Sequence, residues 1–460
     1  MFRDTKKIHF VGIGGIGMSG IAEVLINLGF DVSGSDIRES DIIRHLQKLG
    51  AKIFIGHSED NIKDIDVLVY SSAVKVDNPE IVGAVKRGIP VIKRAEMMGE
   101  MMRLKFSIAI AGTHGKTTTT SMIAGEMLEN NMDPTVIVGG IVNSFGSNAK
   151  LGSGKYFVCE ADESDKSFLK LFPTITVVTN IDIDHLDNYS GLDEIKEAFV
   201  NYINSVPFYG CSIVCMDDRN VQSILPDLNK RYITYGFLPQ ADIRAKNIEI
   251  KDFGSVFDVE GKGISIEKIN LRIPGEFNIK NALASIAVGI ELGIPQETIK
   301  LAIEKFQGVH RRFEYKGDVG QCKVFDDYAH HPTEIENTLK AARDAWNGRI
   351  IAIFQPHLYS RTVLLKEKFG GAFYNADIVI ITDVYPAREK PIEGVTGKVI
   401  ADSCIEHRHK NVIYVENKEE IPEMLNKIKK DNDMIITIGA GNIYKVGEEF
   451  IEKYGNKRTI

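Results

Sequence analysis

A lysine and two threonines follow directly on a glycine turn at Gly112-Thr113-His114-Gly115-Lys116-Thr117-Thr118. Glycines let backbone N–H groups turn inward around phosphate oxygens, and the helix that follows adds its positive N-terminal end. In that setting Lys116 reaches the β- and γ-phosphates of ATP, and Thr117 offers its hydroxyl to Mg²⁺. The loop is shortened, with Thr113 and His114 standing where the common form has four residues between its glycines. Two acidic runs lie behind it, Glu160-Ala-Asp-Glu-Ser-Asp165 and Asn180-Ile-Asp-Ile-Asp184-His185-Leu-Asp187. Each follows an apolar strand, where the acids of a magnesium nucleotide site belong. Carboxylate oxygens suit Mg²⁺, and a neutral imidazole such as His185 completes a second site. Glu163, Asp182 and Asp187 are expected to be solvated or to stand behind the ligands.

A second glycine loop, Gly12-Ile-Gly14-Gly15-Ile-Gly17, lies between a strand and a helix, with Asp36 after the next strand. By itself this is the dinucleotide fingerprint, and a nicotinamide oxidoreductase is the rival it raises. A dehydrogenase has no need of Gly-Lys-Thr with magnesium acids, and a plain ATPase has no need of a second diphosphate cradle. An enzyme that uses ATP and a diphosphate-linked second substrate needs both.

The elements that position these loops alternate between strand and helix. Lys7–Ile13, Asp31–Ser35, Val67–Ser71 and Val91–Ile92 read as strands, Ser19–Leu28 and Ile42–Leu49 as helices, and 95–105 as a connecting helix. A new series opens with the strand Ser107–Ala111 and continues with Tyr156–Cys159, Ile175–Thr179 and Ser212–Cys215. Small antiparallel strands are expected over Ile243–Ile273, followed by a helix over Asn278–Leu292. The last series is Cys322–Phe325, Ile350–Phe354, Ile378–Thr382, Val412–Val415 and Met434–Ile438. The expectation is an α/β protein of three domains, 1–103, 104–308 and 309–460. Its outer domains are Rossmann-like and its central P-loop domain is a parallel sheet with small antiparallel strands.

The net charge of −7 argues against a non-specific nucleic-acid binder, which needs a basic surface. No apolar run is long enough to span a membrane, and no signal peptide is recognised, so a cytoplasmic protein is expected. Cys159, Cys211, Cys215, Cys322 and Cys404 form no CxxC pair and read as buried thiols. Met97, Met98, Met101 and Met102 read as helix packing. His330 and His331 are not read as a metal pair, because adjacent side chains on extended chain point apart.

Taken in order, these motifs resemble the Mur ligases of bacterial peptidoglycan synthesis. The resemblance also draws on Gly12–Gly20, Pro274-Gly-x-x-Asn278-x-x-Asn281, Gly308-Val-His-Arg-Arg-Phe313, Asp326-Asp-Tyr-Ala-His-His-Pro332 and Gln355-Pro-His357. It implies an ATP- and Mg²⁺-dependent ligase that activates the carboxylate of UDP-N-acetylmuramate as an acyl phosphate. L-Alanine is then the attacking amine, and the enzyme is a monomer or homodimer. The resemblance implies that Gly112 to Thr118 bind ATP, with Asn278 and Asn281 facing the adenine, Asp327 the ribose and Arg312 the γ-phosphate. Thr117, Glu160 and His185 would hold Mg²⁺. Gly14, Gly15, Gly17, Met18, Ser19, Asp36, His57 and Ser71 would hold the UDP moiety, and Tyr328, His330 and Arg361 the amino acid. The catalytic set is then Lys116, His185, Arg312 and His330. The chain departs from the family pattern at Phe277, often histidine, and at Leu358, often basic. Phe199-Val200 stands where some sister ligases carry a carbamylated lysine, so none is expected. Met18-Ser19-Gly20 favours the alanine-adding branch over one that recycles a ready-made tripeptide.

Overall fold

The computed structural model describes residues 5–71, 73–142, 147–183, 188–251, 253–261, 263–387 and 389–455. The first sheet contains β1 (Lys7–Val11), β2 (Asp31–Asp36), β3 (Lys52–Ile55), β4 (Val67–Tyr70) and β5 (Val91–Lys93), interleaved with α1 (Ile16–Asn27), α2 (Asp41–Lys48), α3 (Pro79–Lys86) and α4 (Arg94–Met102). Its order is β3-β2-β1-β4-β5, every pair parallel. The chain therefore reverses direction across the sheet between β1 and β4, which opens a crevice at their carboxyl ends. Helix α1 starts three residues earlier than its apolar pattern suggested, because Gly15 takes the cap position.

The central sheet follows with β6 (Phe106–Ala111), α5 (Lys116–Glu129), β7 (Thr135–Val142), β8 (Ser147–Lys150), β9 (Tyr156–Glu160) and β10 (Ile175–Val178). Beyond these come α6 (Leu192–Ile203), β11 (Cys211–Cys215), α7 (Arg219–Ile224), β12 (Tyr232–Gly236), β13 (Ile243–Lys251), β14 (Gly254–Gly261), β15 (Ile264–Leu271), α8 (Glu276–Glu291) and α9 (Gln296–Lys305). The order is β15-β14-β13-β12-β11-β10-β6-β9-β7-β8. Strand β6 lies between β10 and β9, parallel to both, so the glycine turn at its end is flanked by the strand ends from which both acidic runs start. Strands β13, β14 and β15 are sequential neighbours whose short connections force antiparallel pairing, and these are the small strands anticipated there.

The third sheet has the order β16-β17-β21-β18-β19-β20. It is built from β16 (Glu314–Val319), β17 (Cys322–Asp327), α10 (Pro332–Ala345), β18 (Ile350–Phe354), α11 (Tyr359–Leu364), α12 (Lys366–Gly371) and β19 (Ile378–Thr382). The chain ends with α13 (Lys398–Glu406), β20 (Val412–Val415), α14 (Ile421–Ile428), β21 (Met434–Ile438) and α15 (Tyr444–Tyr454). All of its pairs are parallel except β16–β17.

The chain divides into two compact units, one of residues 1–247, 257–269 and 280–306, the other of 248–256, 270–279 and 307–460. The first unit holds both the first sheet and the P-loop, because one apolar core runs through them. Met97, Met98, Met101 and Met102 on α4 are buried in it together with Ala109, Phe157 and Phe168. The methionines are packing residues, as expected, and all five cysteines are free and buried. Among the described residues no helix is long and apolar enough to cross a membrane.

Between α5 and α8 lies an ionisable group that sequence reading did not single out. Glu126 is buried and accepts a hydrogen bond from Ser285 Oγ at 2.7 Å, while its Oε2 has no partner among the described residues. Burial pushes its carboxyl from the ordinary 4.5 up to about 8. The native state thus keeps a proton that the unfolded chain releases, so stability falls as pH rises from about 4.5 towards 8. Urea midpoints at pH 6 and pH 8.5 should therefore drop more in the wild type than in Glu126→Gln. Parallel profiles for the two would contradict this.

Candidate active site

At the P-loop, Gly112 (φ +131°) and Gly115 (φ +84°) occupy backbone that favours glycine, and each lies hard against a neighbour. A Cβ on Gly112 would meet Thr179 Oγ1 at 2.1 Å, and one on Gly115 would meet Asn281 Oδ1 at 2.5 Å. The turn is tied to the end of β10: His114 N donates to Asn180 Oδ1 at 2.9 Å, Asn180 Nδ2 to His114 O at 3.0 Å, and Asp182 N to Thr113 Oγ1 at 2.9 Å. Asn281 also accepts from Thr119 Oγ1 at 3.2 Å, which places one of the two expected adenine-facing asparagines at the loop. Asn278, in the other unit, is buried and donates to Pro274 O at 2.7 Å.

Lys116 opens α5 with its ammonium folded over the turn, 2.5 Å from Gly112 O and 2.8 Å from Glu163 Oε1. Burial works against its charge, but the adjoining Glu163 carboxylate outweighs burial and raises its pKa. Of the two places expected for Glu163, solvated or behind the ligands, the first is excluded, since it is buried and is the direct ion-pair partner of Lys116. Spacing gave no means of choosing it from Glu160, Asp162, Glu163 and Asp165. Thr117 sits buried in the first turn of α5, and Glu160 at the end of β9 accepts from Gly139 N at 2.7 Å. A hydroxyl and a carboxylate are hard oxygen donors of the kind Mg²⁺ takes, so this pair fits the ion. His185, with Asp184 and Asp187, lies outside the described residues.

At the other glycine loop, Gly12 (φ +80°) turns the chain off β1, and Gly14 N donates to Asp36 Oδ2 at 2.9 Å. Asp36 thus clamps the loop. Gly15 caps α1 without a side-chain acceptor, so the N–H groups that open α1 meet no capping side chain. Ser71 follows β4 directly beside Gly12, its Cβ 3.4 Å from where a Gly12 Cβ would stand. Met18 is buried in the core, and Ser19 is buried with its hydroxyl on Ile16 O at 2.9 Å, within reach of Asn148 Nδ2. His57 follows β3 and is held through Nδ1 by Ser35 Oγ at 3.0 Å and Glu80 Oε2 at 3.3 Å. Glu80 is buried, which works against its charge. Hydrogen bonds from His9, Ser35 and Asn61 nevertheless bring its pKa down to about 2.

In the other unit, the turn after Gly308 carries two non-glycine residues in left-handed backbone, Arg311 (φ +59°) and Phe313 (φ +47°), on either side of Arg312. Such conformations cost about 1–3 kcal/mol each and persist where the surroundings impose them. Asp327 supplies part of that constraint, accepting from Phe313 N and Ala329 N at 2.7 Å each. Burial pushes its carboxyl up to about 6, against the pull of Arg312. The guanidinium groups of Arg311 and Arg312 lie 5.0 and 5.2 Å from the Tyr328 ring, which meets His330 edge-on at 5.5 Å. His330 Nδ1 is 3.1 Å from Tyr328 O, and His357 stacks on Tyr385. Arg361 is buried on α11. Tyr328, His330, His357 of the Gln355-Pro-His357 motif and the unanticipated Tyr385 thus form one run of rings in this unit. His331 caps α10, and its backbone N–H and that of His330 both donate to Glu334 Oε2, at 3.3 and 3.0 Å.

Three family descriptions match the chain in succession: "Mur ligase family, catalytic domain" over 7–106, "Mur ligase middle domain" over 110–289 and "Mur ligase, glutamate ligase domain" over 311–441. The UDP-N-acetylmuramate–L-alanine ligase of Geotalea uraniireducens (strain Rf4) is 54% identical over 453 residues, 98% of this chain and 99% of its own. That of Geobacter sulfurreducens is 51% identical over 460 residues, the full length of both. Among solved structures, the UDP-N-acetylmuramate-alanine ligase of Thermotoga maritima is similar with a TM-score of 0.82 at 34% identity. The match covers 98% of this chain and 100% of that one. A murein peptide ligase from Psychrobacter arcticus gives 0.73 at 25%, covering 99% and 100%. The three-domain α/β fold, matched along its length by Mur ligase domains and by alanine-ligase relatives, defines an ATP-dependent ligase that forms a carbon–nitrogen bond. Within that class, the chain belongs to the Mur ligase family.

Proposed function

We propose that this chain joins L-alanine to the carboxylate of UDP-N-acetylmuramate, converting ATP to ADP and phosphate, as a step of peptidoglycan precursor synthesis. The observation that carries this reading is the pairing of two phosphate cradles in one compact unit, Gly112–Thr118 on α5 and Gly12–Gly17 on α1. Relatives 51–54% identical over the whole chain carry the alanine ligase name. The murein peptide ligase is similar at 25%, so the tripeptide-recycling reading stands second. The site's phosphate loop and acids leave no role for a nicotinamide.

In the proposed reaction, a carboxylate oxygen of the sugar nucleotide attacks the γ-phosphorus and ADP leaves. The neutral amine of L-alanine then attacks the acyl carbon, and phosphate departs with the oxygen that linked it. Such chemistry is driven by positioning and charge neutralisation. The ammonium of Lys116 is released from Gly112 O and Glu163 to the β- and γ-phosphates, while the turn's N–H groups hold the phosphate chain. Arg312 adds positive charge, Asn278 and Asn281 select adenine, Asp327 meets the ribose, and Tyr328, His330 and Arg361 orient alanine. His330 is a candidate to take the amine's proton. Thr117 and Glu160, with His185, would hold Mg²⁺, which when bound neutralises charge on the phosphates. The site is expected to work in the cytoplasm, as a monomer or homodimer.

The test is phosphate release from ATP and UDP-N-acetylmuramate with L-alanine, L-serine, glycine, D-glutamate or a cell-wall tripeptide added in turn. Release that needs both the sugar nucleotide and L-alanine is expected. Release with the tripeptide alone would move the chain to the recycling branch.

A further inference from the structure

Between the two cradles lies an arginine that neither motif contains. Arg94 is the first residue of α4, and its guanidinium packs against the first turn of α1: a Cβ on Gly17 would stand 3.1 Å from its Nη1 and 3.5 Å from its Cζ. Its Nη2 donates to Asp162 Oδ2 at 3.1 Å, inside the acidic run that follows β9. Burial would raise the Asp162 carboxyl, but Arg94 and Ser164 hold it below the usual carboxylate range, so the pair stays charged. Among the described residues this is the one hydrogen bond the guanidinium makes, and its side chain remains 18% exposed.

We infer that Arg94 binds the diphosphate of the sugar nucleotide, with Asp162 fixing the guanidinium so that Nη1 lies against the first turn of α1. The inference rests on the substrate reading above and adds a residue to it. A guanidinium presents donors in a rigid fork that matches two phosphate oxygens, and here it lies beside backbone N–H groups that no side chain caps. Glycine at position 17 leaves the room the guanidinium needs. Because the same arginine is anchored in the Glu160–Asp165 run, the diphosphate and the acids of the ATP site share one fixed reference.

The test is steady-state kinetics of the full chain with Arg94→Ala and Arg94→Lys, together with calorimetric titration of UDP alone. Arg94→Ala should raise the KM for UDP-N-acetylmuramate about tenfold or more, one well-made charged contact, with the KM for ATP shifted far less. UDP affinity should fall in parallel. Arg94→Lys keeps the charge but not the fork, so it should give an intermediate rise, and it carries the test if Arg94→Ala does not fold. Unchanged UDP affinity in a folded variant, or equal rises in both KM values, would mean a purely structural ion pair and overturn the inference alone. A wild-type chain that binds no UDP would overturn the substrate reading and the inference together.

Discussion

Lys116→Ala is expected to lower kcat by about 10²–10³-fold or more at saturating ATP, sugar nucleotide and amino acid. Gly112 and Gly115 let the turn close so tightly that its carbonyls and the Lys116 ammonium share one small volume. The ammonium is held 2.8 Å from the buried Glu163 carboxylate, so its charge is retained in a setting that would otherwise disfavour it. Charge placed beforehand in a buried site stabilises developing negative charge far more than the same charge in water. Alanine at 116 removes that cation and leaves Glu163 buried beside the incoming phosphates, where its repulsion adds to the loss. Lys116→Ala/Glu163→Gln should therefore bind ATP better than Lys116→Ala while remaining catalytically poor. Single-turnover measurements on both variants separate these effects. Near-normal turnover by Lys116→Ala would remove the lysine from the mechanism.

The neighbouring arginines of the His310–Phe313 turn should respond to alanine in opposite ways. Arg311 donates to Asp326 Oδ2 at 2.8 Å, to Gly439 O at 2.6 Å and to Gly441 O at 3.1 Å, and its guanidinium lies over Tyr444 and Tyr328. Asp326 is 1% exposed. Removing one partner of such a buried pair costs about 3–5 kcal/mol, because the other charge is left without compensation. The loss depends on pH in a definite direction. Burial already raises the Asp326 carboxyl and Arg311 opposes that rise, so without Arg311 its folded pKa climbs further. A raised carboxyl contributes stability at low pH that is lost as pH rises, so Arg311→Ala should be nearer the wild type at pH 5 than at pH 8. Arg312 lies 4.0 Å from Glu334 and is partly exposed. Arg312→Ala should unfold close to the wild type and lose activity. Urea melts at the two pH values, with turnover measured on the same samples, test both. Equal stability losses in the two variants would refute this division of roles.

What could be read from the sequence, and what could not, follows the same physics. Both glycine loops were legible because backbone in the left-handed region favours residues without a Cβ, as Gly12, Gly112 and Gly115 show. The buried parallel strands were legible as continuous apolar runs, Ile350–Phe354 and Met434–Ile438 among them. Strand Lys52–Ile55 was missed because it lies at a sheet edge and is half exposed, so it shows no such run. The packing of α4 into the core beneath the P-loop was not visible, since methionines on a charged helix do not say which surface they meet. Charged partners were the least legible. Glu163 stands among chemically equivalent acids, and Arg311 and Arg312 are adjacent and identical. Only the fold decides which side chain is turned inward.

The central claim is that the sugar-nucleotide carboxylate is phosphorylated before the amide forms. It is tested most directly with UDP-N-acetylmuramate carrying ¹⁸O in its carboxylate, by mass analysis of the phosphate released in the presence of ATP and L-alanine. One ¹⁸O atom is expected in each phosphate and the other in the new amide. Phosphate free of ¹⁸O, released at the rate of product formation, would contradict it.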